Sequence, residues 1–160
     1  MAELTTLEEK LAEVTGLAKA AQEATQKVEG LVDDEELASE LQRMREEAEE
    51  TERRCTDLAG GRDGKKTAIL EKAQETKNEA AEMMSTYLGS DADDLDGFEF
   101  LTMAEAGEVG HWEILGKLNE KAGESSIQEL VDWALPIQQR HFQEAREGSL
   151  TLAAEEDPNA

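Results

Sequence analysis

The stretch that decides the fold is at the N-terminus, where residues 4–32 read LTTLEEKLAEVTGLAKAAQEATQKVEGLV. Small or apolar side chains recur there in alternating steps of three and four, and this spacing predicts one amphipathic helix with a heptad-like seam. The seam consists of Leu4, Leu7, Leu11, Val14, Ala18, Ala21, Thr25, Val28 and Val32. The high acidity and few aromatics of the chain are also typical of disorder, but a regular seam of this length indicates an ordered, packed helix.

The same periodicity continues along the chain and predicts about five helices. A second seam runs from Leu37 to Leu58, after a capping-box pattern at Asp33 and Glu36. A third covers residues 69–88, a fourth about 98–122, and a fifth begins near Ser125 or Ser126, with Pro136 predicting a kink or a break inside it. No strand-like alternation occurs, so we predict an all-α antiparallel bundle formed by residues 1–148, with residues 149–160 as a loosely packed acidic tail.

The charge of the chain excludes several classes of partner. Sixteen Lys and Arg against 39 Asp and Glu give a formal charge of −23, so nucleic acid and anionic membranes would repel the protein. A single cysteine argues against a disulfide framework and a four-thiolate zinc site. No apolar run is as long as a membrane span, and the first residues lack a signal-peptide pattern. We therefore expect a cytoplasmic protein.

Both histidines of the chain fall on stripes that we predict to face the core. Glu108 and His111 form a Glu-x-x-His pair on the fourth helix, with both side chains on one face. On the fifth helix His141 is followed three residues later by Glu144. In ferritin-like bundles this spacing brings a carboxylate and an imidazole to a metal pair, so the sequence predicts a metal site formed by Glu108, His111, His141 and Glu144.

The alternative for these histidines is structural. Each imidazole would then be a buried or half-buried side chain hydrogen-bonded to a neighbouring carboxylate. The first two helices contain no histidine, and their carboxylates lie beside the seam instead of on it. The sequence thus provides at most half of a two-metal centre, which would hold iron, another divalent metal, or nothing.

From Leu37 onward the chain resembles the YciE/YciF-type ferritin-like family of stress-associated bacterial proteins. The similarity lies in residues 41–58 and in Val109-Gly110-His111-Trp112-Glu113-Ile114, where the family tends to show Glu-His-Tyr-Glu-Ile. The C-terminal Leu-Thr-Leu-Ala of residues 150–153 also resembles the family's end. The resemblance implies a ferritin-like bundle, often a homodimer, with a metal site that would oxidise Fe(II) if it bound iron.

Several positions depart from the family's pattern. Arg53 and Arg54 stand where some members have a histidine, and a guanidinium would repel a metal. Gly110 and Gln138 remove further carboxylates. The first hypothesis is therefore a stress-response ferritin-like protein with vestigial metal binding and no assigned catalytic residue. The second is a non-catalytic helical interaction or protective protein without metal, because residues 20–27 and 72–77 look like desiccation-tolerance repeats.

Overall fold

The computed structural model describes residues 2–160, which form five α-helices and no β-strand. This confirms the predicted all-α class and the number of helices. The helices are α1 (Thr6–Glu29), α2 (Glu35–Gly60), α3 (Lys66–Tyr87), α4 (Asp94–Ala122) and α5 (Ser125–Glu155).

Local signals fix where the helices begin and end. Thr5 and Glu8 form a capping box at the start of α1, and Asp93 and Asp96 form another at the start of α4. The cap of α2 is Asp34, one residue later than predicted. Helix α5 begins at Ser125, as predicted; the capping box that Ser126 and Glu129 would form is not present, because the N-cap is Glu124 and has no side-chain hydrogen bond.

Four helices surround the core, and each one runs antiparallel to both of its neighbours. Gln22 of α1 bonds Glu52 of α2 at 2.7 Å, and Val28 at the end of α1 lies against Gly97 at the start of α4. On the opposite side, α5 pairs with α4 through their short connection and with α2 through residues such as His141. The helices therefore follow the spatial order α1, α2, α5, α4 around the bundle.

The fifth helix, α3, lies outside this bundle and parallel to α1. A Cβ atom added at Gly16 would be 2.3 Å from the carbonyl oxygen of Ala73, so the two backbones touch directly. The second half of α3 buries little, because Met83 and Tyr87 of its predicted seam are more than half exposed. Residues 61–93 thus form one long connection between α2 and α4, with α3 inside it.

Two apolar clusters make up the core, and a polar layer separates them. One cluster lies near the α4–α5 connection and includes Leu11 and Trp112, and the other lies at the opposite end and includes Leu41 and Phe98. Between them, buried polar side chains interrupt three of the four helices. We call these residues the central layer: Thr51, Glu105, Glu108, Gln138 and His141.

The C-terminal end of the chain differs from the prediction. Helix α5 continues without a break through Pro136 to Glu155, so the predicted boundary at residue 148 lies inside a helix. Gly148 packs against the Phe98 ring, and Leu152 belongs to the apolar cluster that contains Phe98. Because these contacts bury one face of residues 149–155, this part of the predicted tail packs as helix.

None of the helices within residues 2–160 combines the length and the apolar character that crossing a membrane requires.

Candidate functional site

The buried face of α4 differs from the predicted one. The buried line runs Leu101, Glu105, Glu108, Trp112 and Leu115. Trp112 is 1% exposed, whereas the His111 side chain is 39% exposed. The prediction that His111 faces the core is therefore wrong: burying the indole removes more apolar surface from water than burying an imidazole.

His111 lies instead on the flank of α4 that faces α1. Its Nδ1 is 2.8 Å from the carbonyl oxygen of Gly107 in the preceding turn, and its Nε2 is 3.8 Å from a carboxylate oxygen of Glu13. His111 is therefore half-buried, but its hydrogen bond is to a backbone carbonyl and not to a carboxylate as the structural alternative had it.

On α5, His141 is buried as predicted, but its partner comes from α2. The Nε2 atom of His141 is 3.1 Å from Glu47, which Arg140 also contacts. Glu144 is bonded by Arg43 at 2.6 Å. These five residues, Arg43, Glu47, Arg140, His141 and Glu144, form a network of ion pairs and hydrogen bonds beside the central layer, which it joins at His141. We call this network the closed side.

The contacts within the closed side explain the pKa shifts of Glu47 and His141. Although burial opposes ionisation, hydrogen bonds from His141 and Arg140 lower the pKa of Glu47. Burial lowers the pKa of His141, and the neighbouring Glu47 only partly offsets this effect. The two arginines balance the charges of Glu47 and Glu144, so the network needs no further cation.

The opposite side of the central layer contains two acids without a cationic partner. Glu105 and Glu108, one turn apart on α4, are 1% and 5% exposed. Burial raises the pKa of Glu105 to about 7, against a hydrogen bond from Gln138. Burial and the neighbouring Glu105 raise the pKa of Glu108 well above its usual range. We call this pair the open side.

Glu108 has no hydrogen-bond partner among residues 2–160, and its carboxyl group faces a cavity. Every fully enclosed polar side-chain atom in the described chain has a partner, so the oxygens of Glu108 must reach open space. The cavity has a volume of about 190 Å³ and lies between α1, α3 and α4. Its lining is almost entirely apolar, from Leu17, Ala20, Ala24, Ala80, Ala81, Met83, Met84, Phe100, Met103 and Ala104.

The structure divides the four predicted metal ligands between two places. Glu108 and His111 line the cavity, whereas His141 and Glu144 belong to the closed side. Glu105 was missed, although it lies one turn from Glu108 and its spacing could have indicated it. Glu47 lies beside the predicted seam of α2, and nothing in the sequence pairs it with His141, which is 94 positions later.

Within residues 2–160, one group of three acids has carboxylate oxygens within 4.8 Å of one another: Asp93, Asp94 and Glu156. It lies where α4 begins and α5 ends. Asp93 already caps α4 by accepting from the backbone N–H of Asp96, and none of the three residues is buried. The group is explained by helix capping at a solvated junction.

The residues present do not fit a two-metal centre. Arg43 and Arg140 hold the carboxylates on the closed side, and a guanidinium excludes a metal from the same position. Burial raises the pKa of the enclosed Cys55 thiol to about 12, so this thiol stays protonated at neutral pH and is not a nucleophile. What the open side can do is accept a hydrogen bond or a positive charge from a molecule inside the cavity.

Neither the comparison with protein-family models nor the search of curated proteins gives a match to this chain.

Proposed function

We propose that this protein is a non-catalytic binding protein of the ferritin-like type, and that the cavity beside Glu108 takes a small ligand. The observation that carries the proposal is the buried carboxyl group of Glu108, which has no hydrogen-bond partner among residues 2–160 and lines an apolar cavity of about 190 Å³. Ligand pockets combine apolar walls with a small number of polar anchors in this way. An engineered apolar cavity of roughly 150 Å³ binds benzene, so a molecule with one ring fits this volume.

The ferritin-like part of the proposal rests on topology and on the position of the polar layer. Ferritin-like bundles are four-helix bundles with one long crossover connection, and their acidic sites lie inside the bundle. Here the crossover is residues 61–93, and the acids lie between two apolar clusters. The resemblance in residues 41–58 and 109–114 points the same way. With it we propose a stress-associated role in the cytoplasm.

A cavity-filling variant tests ligand binding. Ala104 lines the cavity, whereas Ala106, two residues along the same helix, is exposed. We expect toluene and benzyl alcohol to raise the melting temperature of the parent protein by mass action. Ala104→Leu should abolish this shift, because the added side chain occupies the space.

The matched control is Ala106→Leu, which adds the same side chain outside the cavity and should keep the full shift. Failure of every one-ring compound to shift the parent, or equal shifts in both variants, contradicts the proposal.

A divalent cation at the open side is the second candidate function. Glu105 and Glu108 place two buried carboxyl groups one turn apart with no Lys or Arg lining the cavity, and carboxylates are suitable ligands for iron or manganese. Equilibrium dialysis against Fe(II) or Mn(II), followed by metal analysis, should give one ion per chain. The double variant Glu105→Gln/Glu108→Gln should bind none. Equal binding by parent and variant would place any metal elsewhere.

The homodimer implied by the resemblance is also part of the proposal. On α4, Met103 and Ile114 are exposed apolar side chains that a second copy would bury. Light scattering at low and high salt should show a dimer that is favoured by salt, because two chains of charge −23 repel each other. A monomer under both conditions contradicts it.

A further inference from the structure

The cavity beside Glu108 combines two buried acids with an otherwise largely apolar lining. Glu105 and Glu108 are both on the buried face of α4. Met83 and Met84 of α3 and Phe100 of α4 add thioethers and an aromatic ring to the lining. A ligand that satisfies both kinds of surface must have an apolar body and one polar group.

The acids at the cavity that have no ion-pair partner among residues 2–160 are Glu105 and Glu108. The other titratable residues in the lining are His111 from α4 and Glu23 from α1. Glu23 is paired with Lys77 of α3 at 2.6 Å, and Glu13, next to His111, is paired with Lys10 at 3.0 Å. The α5 residue that bonds Glu105 is the neutral Gln138. An anionic ligand would find no partner at the buried acids, whereas a cation would pair with their ionised form.

The apolar lining argues against a hydrated metal ion as the preferred occupant. A divalent cation takes about six oxygen ligands, and the lining provides two carboxyl groups at the buried end. The methyl groups of at least five alanines and the methionine thioethers surround the remaining volume. Soft, polarisable methionine side chains and an aromatic face suit an organic cation with a hydrocarbon body.

We infer that the cavity binds a primary ammonium ion carried on a one-ring apolar body, with the nitrogen donating hydrogen bonds to the Glu108 carboxylate. This inference rests on the proposed function and names its ligand class. Binding neither forms nor breaks a covalent bond between the ligand and the protein. Glu108 loses its proton to solvent as the ammonium group arrives, so that one negative and one positive charge meet in the cavity.

Isothermal titration calorimetry with benzylammonium chloride at pH 7 tests the inference. Benzyl alcohol and toluene are the matched neutral probes, because they share the ring and lack the charge. Benzylammonium should bind about tenfold or more tightly than benzyl alcohol, since a hydrogen bond to a charged group is stronger than a neutral one. In two buffers with different ionisation enthalpies, the observed heat should show proton release with benzylammonium and none with benzyl alcohol.

The variant Glu108→Gln keeps the shape of the side chain and cannot ionise. It should lose the preference for benzylammonium, by about tenfold, and keep its affinity for toluene. Glu113→Gln, an exposed position of α4 outside the cavity lining, is the control and should keep the full preference. Circular dichroism of each variant checks that it folds. The comparison of the three probes on the parent protein does not depend on any variant.

The outcomes separate the two proposals. If toluene and benzyl alcohol bind as tightly as benzylammonium, or if Glu108→Gln keeps the preference, the ligand class is wrong while small-molecule binding stands. If none of the three probes binds, the proposed function fails together with the inference.

Discussion

The two sides of the central layer contain similar residue types and differ in whether their charges are paired. On the closed side, Glu47 and Glu144 are bonded by Arg43 and Arg140, and His141 completes the network. On the open side, Glu105 and Glu108 have no cationic partner among the residues that the structure describes, and the cavity lining contains no Lys or Arg. A buried carboxylate is stable only when it is paired or neutral. The closed side uses the first solution, and the open side uses the second.

The two sides should therefore respond to pH in opposite directions. The lowered pKa of Glu47 contributes stability that is present above the unfolded-state pKa of 4.5, and this contribution is lost as pH falls. The raised pKa of Glu105 contributes stability that is present below pH 4.5, and this contribution is lost as pH rises through about 7. This difference shows that acidity alone does not define a site, because the partner of each carboxylate decides its chemistry.

The largest effect is expected from Glu105→Gln, which removes the titration of Glu105 and leaves that of Glu108. The parent should lose stability between pH 4.5 and about 7, and the shift of Glu105 corresponds to about 3 kcal/mol. Glutamine can still accept the hydrogen bond from Gln138, so the variant should match the parent at pH 4.5 and exceed it at pH 8. Urea unfolding across this range measures the difference. A difference between variant and parent that does not change with pH would show that Glu105 titrates normally.

A smaller effect is expected from Glu47→Ala, which removes one carboxylate from the ion-pair network of the closed side. Without this carboxylate, Arg140 and the buried His141 lose their partner, and the free energy of unfolding at pH 7 should fall by about 2 kcal/mol. The loss should shrink as pH falls, because protonation weakens the same network in the parent. Chemical denaturation provides the measurement. Glu46→Ala, its exposed neighbour on α2, is the control and should change little; an equal loss in both variants would contradict a special role for the network.

The smallest effect concerns Gly107 at the mouth of the cavity, where an added Cβ meets nothing within 4 Å. Gly107→Ala should stabilise α4 by about 0.5–1 kcal/mol through helix propensity alone. Gly16→Ala should destabilise the protein, because its Cβ would collide with the backbone of α3 at Ala73. Thermal unfolding of the two variants compares a crowded helix contact with an open one. Destabilisation by Gly107→Ala would show that another chain or segment occupies the space beside it.

Much of the fold could be predicted because it depends on local periodicity. The seam of α1 through Leu11 and Val14 is buried as predicted, and Gly123 ends α4 in the left-handed conformation. The phase of α4 was harder, because Leu101, Glu108 and Leu115 belong to either of two possible stripes. The choice between His111 and Trp112 depends on how much surface the neighbouring helices bury, and a single helix does not contain that information.

Only part of the candidate site could be predicted, because spacing along one helix does not show how the helices pack against each other. Glu108 and His141 are buried, as the stripes predicted, but His111 and Glu144 are not on the buried lines of their helices. Pairing of Glu47 with His141 depends on the register between α2 and α5, which are separated by two other helices in the chain. The cavity exists because the second half of α3 lies away from the bundle. The exposed Met83 and Tyr87 of α3 have the same spacing as core residues, so the sequence pattern does not distinguish them.

The sequence by itself determined that this protein is helical, that it has five helices, and that acids interrupt its core, because these properties follow from the spacing of side chains along one chain. Only the tertiary structure decided which acids are paired. Arg43 and Arg140 reach Glu47 and Glu144 because α2 and α5 are neighbours, whereas Glu108 faces a space that no cationic side chain fills. Charge pairing depends on distance in space, and that distance is set by how the helices pack.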